Sequence, residues 1–312
     1  MNINMETPVF FDPIYKDYIW GGKNLRNILN RNIAGDVAES WEVSAYKTDS
    51  TPILSGRFEG KTLIQAFEEC KEVFTKNDIF PVLIKFIDAS DKLSIQVHPN
   101  DEYAKKYEND NGKNEVWYIM DAKEDAKIIY GLNQKKVQNK SNDEIVANMK
   151  EYLNYVSVKK GDFIQIPAGT VHAILDGIIL CEVQQSSNVT YRIYDWDRLG
   201  KDGKPRQLHI EKAKDVISTA KTPEIQNYGS ATDSKQIYKN DSFEIELVVV
   251  NSNYKTENNL DYSEIYIVIE GEGNLKYSDE NKKISRGTVF MKPINCISTL
   301  IEGQLKILKV NI

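Results

Sequence analysis

Residues 161–172 read G-D-F-I-Q-I-P-A-G-T-V-H. The run F-I-Q-I is strand-like, Pro167 closes it because proline has no N–H to give to a ladder, and Gly169 allows a turn that ends on His172. A second stretch complements it. In L-S-I-Q-V-H-P-N-D, starting at Leu93, alternation puts Ser94, Gln96 and His98 on one face of a strand and Leu93, Ile95 and Val97 on the other. A polar row backed by an apolar row suits a strand that lines a pocket on one side and packs on a core on the other. Glu115 follows in G-K-N-E-V-W-Y-I-M, at the mouth of another strand, and Lys113, two residues earlier, shares its face. The chain has three histidines, and two of them lie in these segments.

Gln96, His98, Glu115 and His172 supply an amide oxygen, two imidazoles and a carboxylate, a donor set that suits one zinc ion per chain with room for an exchangeable ligand. With both imidazoles neutral and Glu115 ionised, one charge of the divalent ion stays uncompensated, so the ion remains a strong Lewis acid. The competing reading is a polar-faced edge strand and an unrelated turn histidine. Spacing alone balances the two, because no H-x-x-x-H helix or C-x-x-C knuckle supports a metal.

The order G-x-x-x-x-x-P-x-G-x-x-H through Gly161, Pro167, Gly169 and His172 resembles the second cupin motif, a turn that delivers a metal-binding histidine into a jelly-roll barrel. The first cupin motif ordinarily carries H-x-H and a nearby glutamate. Here Gln96-Val97-His98 takes its place, and Glu115 is displaced by an inserted segment read as helical. The phrases S-I-Q-V-H-P-N-D (94–101), G-K-N-E (112–115), I-P-A-G-T-V-H-A-I (166–174) and T-Y-R (190–192) resemble type I phosphomannose isomerases. W-G-G (20–22) and A-E-S-W-E-V-S-A (38–45) resemble their short bacterial form. The likeness runs in order along nearly the whole chain.

The resemblance implies an enzyme that interconverts mannose 6-phosphate and fructose 6-phosphate, with zinc on Gln96, His98, Glu115 and His172. It also implies a pocket serine at Ser94 and active-site cations at Lys113 and Arg192, as catalytic and substrate-binding groups. The reaction moves a proton between adjacent carbons, so it needs stabilisation of an enediolate, a proton carrier and cations for a phosphate dianion. One departure stands out. Many family members carry Asp four residues before the arginine, where this chain has Asn188, and an amide cannot relay a proton. Glu182, Lys113 or a metal-bound water is left for that task. A noncatalytic sugar-phosphate-binding or regulatory cupin is the competing class, with Asn188 in its favour and the intact metal set against it.

The fold expected is mainly β: two cupin-type jelly-roll barrels, with helical insertions in the first. Gly287 to Pro293 repeats the glycine-to-proline spacing of Gly161 to Pro167 without the histidine turn, which reads as a degenerate second barrel without metal. Residues 1–235 are assigned to the catalytic domain and 236–312 to the degenerate one. A capping box at Thr62 and Gln65 predicts a helix whose apolar positions run to Phe74, and Asn100 predicts a short helix through Tyr107. Further helices are predicted from Asn142 and over Ile210 to Ala220, and Thr222 to Lys239 is read as a linker. His209 is read as a cap or surface residue, and Trp20 and Trp41 as core.

A net charge of −6 argues against a nucleic-acid surface and leaves room for a local basic pocket that takes a small sugar phosphate. Three scattered cysteines fit a reducing compartment, no stretch approaches the length of a membrane span, and the start M-N-I-N-M-E-T-P lacks a signal pattern. These features predict a cytoplasmic protein, a monomer or weak homo-oligomer.

Overall fold

The computed structural model describes residues 6–29 and 31–312, so residues 1–5 of the segment read for a signal pattern lie outside it. Among the described residues no helix is long and apolar enough to cross a membrane. The chain is mainly β, and its strands pair antiparallel in three large sheets. In the seven-stranded sheet, Asp162–Ile166, Glu115–Ala122, Ile178–Gln185, Val82–Ala89 and Glu39–Val43 lie side by side. The five-stranded sheet runs Leu153–Ser157, Lys127–Leu132, His172–Ile174, Ile95–Val97, Tyr191–Tyr194. The eight-stranded sheet collects the C-terminal strands, and Val9–Phe10 joins it by pairing with Val289–Lys292.

Alternation along the seven-stranded sheet explains its two faces. Ile84, Phe86, Val116, Tyr118, Cys181 and Val183 point outward and pack with Ile245, Leu247, Ile265 and Leu308 of the eight-stranded sheet. Inward, Ile87, Ile119, Ile178 and Leu180 meet Ile128, Tyr130 and Ile174 of the five-stranded sheet and Leu93 just ahead of its strand Ile95–Val97. At one end of the same inner face the residues change to Lys85, Glu115 and Glu182, and there the two sheets enclose a cavity instead of a core. The back of the five-stranded sheet is covered by helices through Ile145, Met149, Tyr152, Ala213 and Ile217. Arg286 ties the C-terminal unit to the first by donating to the Met120 carbonyl at 2.7 Å, and Arg31 donates to the Gly287 carbonyl.

The caps were legible and some helix lengths were not. Thr62 and Gln65 form the capping box of Leu63–Glu69, and Asn100 accepts the Tyr103 N–H at the start of Asp101–Tyr107. The first helix stops at Glu69, because Cys70 leaves helical geometry and Lys71–Val73 is a separate 3-10 turn. The segment from Asn142 divides into Asn142–Ala147 and Met149–Tyr152 at Asn148. The helix expected to reach Ala220 ends at Val216, where Ile217 turns extended. The expected linker is partly strand: Gln226–Asn227 pairs with Asp162–Phe163, and Lys235–Lys239 forms an edge of the eight-stranded sheet.

Candidate active site

Register builds the site from two facing rows. Across the five-stranded sheet, His172 is paired with Gln96 and Gln96 with Arg192. Across the seven-stranded sheet, Trp41 is paired with Lys85, Lys85 with Glu182, and Glu182 with Trp117. Both rows border one cavity of about 290 Å³, whose lining includes Ser94, Gln96, Lys113, Arg192, Lys85 and Glu182. Four cationic side chains, Lys85, Lys113, Arg192 and Arg206, face it against two carboxylates, Glu39 and Glu182, so an acidic protein carries a locally basic pocket.

His98, Glu115 and His172 are brought together behind Gln96 and Lys113 of this lining, fully buried, with one potential ligand atom from each within 4.8 Å of the others. Gly169, at φ +86, makes the turn before His172, and a Cβ there would stand 2.9 Å from the Val216 carbonyl oxygen. Its N–H is bonded to the His98 carbonyl at 2.8 Å, which holds the turn against the strand that carries His98. His98 Nδ1 lies 2.9 Å from the Val189 carbonyl and His172 Nδ1 lies 2.9 Å from the Thr170 carbonyl. A carbonyl can only accept, so each Nδ1 carries the hydrogen and each Nε2 lone pair faces the cluster. Burial lowers both imidazoles, His98 to about 3 with the Lys113 charge adding to the effect, and both rings are therefore neutral.

Glu115 opens its strand with Oε1 3.2 Å from His98 Nε2 and Oε2 3.7 Å from His172 Nε2. Burial opposes its charge, but Lys113, 2.6 Å from Oε1, together with the His98 and His172 rings outweighs that and holds the carboxyl well below the usual range. Neither carboxylate oxygen receives an aligned hydrogen bond. A buried, ionised carboxylate whose Oε2 has no donor, set between two neutral imidazoles, fits a divalent cation. The Gln96 amide lies 3.2 Å from His172 Nε2, and a half-turn of that amide presents its oxygen to the same point. Three of the four expected ligands thus converge, and Gln96 lies beside them.

The other expected residues line the cavity in different ways. Ser94 is buried with its hydroxyl 3.4 Å from the Gln96 amide oxygen. Lys113 is spent on the ligand cluster, reaching His98 Nε2 at 3.3 Å as well as Glu115. Arg192 donates to the Gln207 carbonyl at 2.8 Å, and its Nε has no partner among the described residues. His209 stands at the N-cap position, yet its ring does not cap the helix: Nδ1 accepts the Arg192 N–H at 3.2 Å.

Sequence reading missed Lys85, Glu39 and Arg206. Lys85 Nζ lies 3.4 Å from Glu182 and 3.6 Å from Glu39, and although burial opposes its charge these carboxylates keep it protonated. Burial and the nearby Glu115 raise Glu182, while Lys85 pulls it back. Arg206 is held by Asp195, which accepts its Nε at 2.7 Å. The available signal for Lys85 was a lone lysine inside the apolar run P-V-L-I-K-F-I. Trp20 is buried as expected and also lines the cavity, beside Tyr18 at a ring separation of 5.7 Å.

Residues 9–119 match the family model of phosphomannose isomerase type I, catalytic domain. The mannose-6-phosphate isomerase ManA of Bacillus subtilis is 41% identical over 220 residues, 70% of each chain. The crystal structure of the mannose 6-phosphate isomerase from Bacillus subtilis superposes with a TM-score of 0.86 at 33% identity, covering 98% of this chain and 100% of that one. A mannose 6-phosphate isomerase bound with zinc and yttrium shares the fold at a TM-score of 0.76 and 16% identity, covering 98% and 99%.

Proposed function

The chain belongs to the type I phosphomannose isomerase family, and from that membership we propose that it interconverts mannose 6-phosphate and fructose 6-phosphate in the cavity between the two sheets. The observation that carries the reading is the buried Glu115 carboxylate, without an aligned donor, set between two neutral imidazoles at the wall of a basic pocket. Gln96, His98, Glu115 and His172 hold one zinc per chain. When bound, zinc supplies a Lewis acid that withdraws charge from substrate oxygens.

Arg192 and Arg206 meet the negative charge of the sugar phosphate, and Arg192, in register beside Gln96, stabilises the enediolate or the phosphate. Lys113 keeps Glu115 ionised and adds its charge to the cavity wall, and the Ser94 hydroxyl is available to a sugar hydroxyl. For the proton carrier we choose Glu182. Asn188 at the rim cannot take the proton, Lys113 is tied to Glu115, and Glu182 has Oε1 without a hydrogen bond and a carboxyl raised by burial toward proton uptake. Every residue named lies within 1–235, the proposed catalytic domain, and residues 236–312 supply none. Three free cysteines fit action in the cytoplasm, as a monomer or weak homo-oligomer without nucleic acid or membrane.

The test is a coupled assay of purified, zinc-loaded protein with mannose 6-phosphate. Fructose 6-phosphate should form. A folded, metal-replete protein that binds the sugar phosphate without turning it over would replace this reading with the noncatalytic one.

A further inference from the structure

The row Trp41, Lys85, Glu182, Trp117 contains two indoles that no step above uses. Trp41 Nε1 donates to Glu39 Oε2 at 2.7 Å, and Trp117 Nε1 donates to Glu182 Oε2 at 2.9 Å. Each carboxylate beside Lys85 is thus already bonded to a rigid donor, Glu39 to one on its own strand and Glu182 to one on the adjacent strand. The ammonium lies between them at 3.4 and 3.6 Å, too far to donate a full hydrogen bond to either, and faces the cavity. Two flexible glutamates next to a buried lysine would ordinarily close on it at 2.7–2.9 Å, roughly the length of a charge-assisted bond. Here the indoles keep them apart.

We propose that Trp41 and Trp117 are positioning residues, whose N–H groups hold Glu39 and Glu182 off Lys85 so that its ammonium donors stay directed at the bound sugar. Trp41 is fully buried behind Glu39 and absent from the cavity lining, so its N–H acts only through that carboxylate. The proposal rests on the isomerase reading for its kinetic consequence and on geometry alone for its structural one.

Trp41→Phe keeps a ring under the ammoniums of Lys16 and Lys85, which lie 5.0 and 4.9 Å from the indole, and removes the N–H. It should lower kcat about tenfold, the worth of one hydrogen bond to a charged group, with KM and zinc content little changed. In a Glu39→Ala background the same substitution should add nothing, because the carboxylate it acts through is gone. Trp117→Phe, read by structure because removal of its partner Glu182, the proton carrier, leaves no turnover to compare, is the independent second test should Trp41→Phe fail to fold. Additive losses in the Trp41 cycle would mark the indole as packing and overturn the proposal. Crystal structures of the Phe variants give the reading that needs no activity: the freed carboxylate should move onto Lys85 at hydrogen-bond distance. An unmoved pair would overturn the proposal even if the wild-type protein turns over substrate. A wild-type protein without turnover would instead sink the isomerase reading, and the structures would still decide the positioning.

Discussion

Lys85 and Lys292 are almost equally buried, one in the seven-stranded sheet and the other in the eight-stranded sheet, and their surroundings differ in one respect that matters. Lys292 spends its donors locally, on the Thr256 hydroxyl and on the Glu257 carbonyl at 2.8 Å, with Glu264 at 3.8 Å. Lys85 has two carboxylates beyond full bonding distance and a cavity in front of it. Burial of a charge therefore does not mark a site. Donors left unspent next to open space do. The glycine-to-proline turns make a parallel point. Gly161 and Gly287 share φ values of +89 and +90, and each precedes a strand that ends at Pro167 or Pro293. Beyond the proline, Gly169 turns the first copy toward His172, whereas Ile294 in the second bonds to the Val73 carbonyl at 2.8 Å.

The comparison is most exposed at the metal ligands. His98→Ala or His172→Ala should weaken zinc binding by more than about a hundredfold, beyond the usual cost of losing an outer-shell partner, and turnover should fall with it. Elemental analysis alongside kinetics checks this, and it sharpens the contrast too, because residual stoichiometric metal would have to sit in the C-terminal sheet. Glu182→Gln keeps shape and removes the proton carrier, so kcat should fall by about a thousandfold with zinc retained. Arg192→Ala should reduce turnover about a hundredfold, on the order of 3 kcal/mol, with Arg192→Lys recovering only part because an ammonium lacks the forked donors. Zinc loss in the alanine variant would make the arginine part of the site's architecture.

Lys292→Met tests the other half. It should leave kinetics and metal content unchanged and lower unfolding stability by about 1–3 kcal/mol in urea titrations, because the Thr256 hydroxyl, the Glu257 carbonyl and the Glu264 carboxylate lose the donor they face. A drop in turnover would end the distinction drawn between the two lysines. The smallest effect concerns Asp195, which burial pushes upward but Arg206 and Arg198 pull below the ordinary carboxylate range. Its contribution to stability is therefore complete above the unfolded carboxylate pKa and drains as pH falls through the depressed folded value. Asp195→Asn should be less stable than wild type at pH ~7, and the gap should shrink by pH ~3. A gap that widens in acid would reverse the sign.

The metal half of the site was readable because its information is local. Alternation placed Ser94, Gln96 and His98 on one face, and a single glycine turn delivered His172. Glu115 and Lys113 came from one short phrase. Of the opposite wall only Glu182 was read, as one proton-carrier candidate, because Glu39, Lys85 and Glu182 sit on strands far apart in the chain and meet only through cross-strand register. A lysine in an apolar run says that something must neutralise it, but not what. Helix starts were legible from Thr62 and Asn100, whose side chains make the caps, whereas the ends at Cys70 and Ile217 follow from backbone turns that no residue type announces.

The pairing of Val9–Phe10 with Val289–Lys292 has a consequence for how the chain is made. Ribosomes deliver the N-terminus first, and domains generally fold as units while later residues are still emerging. Here the first of the described strands belongs to the last of the sheets, and the strand at the centre of that sheet, Thr299–Asn311, is the last of the described strands to appear. The two sheets around the cavity use strands no later than Gln226–Asn227, so they can assemble while the first strand waits without its partner. For most of synthesis, then, Val9 and Phe10 are an unpaired apolar edge, and a chaperone or a neighbouring nascent chain has that interval in which to meet them.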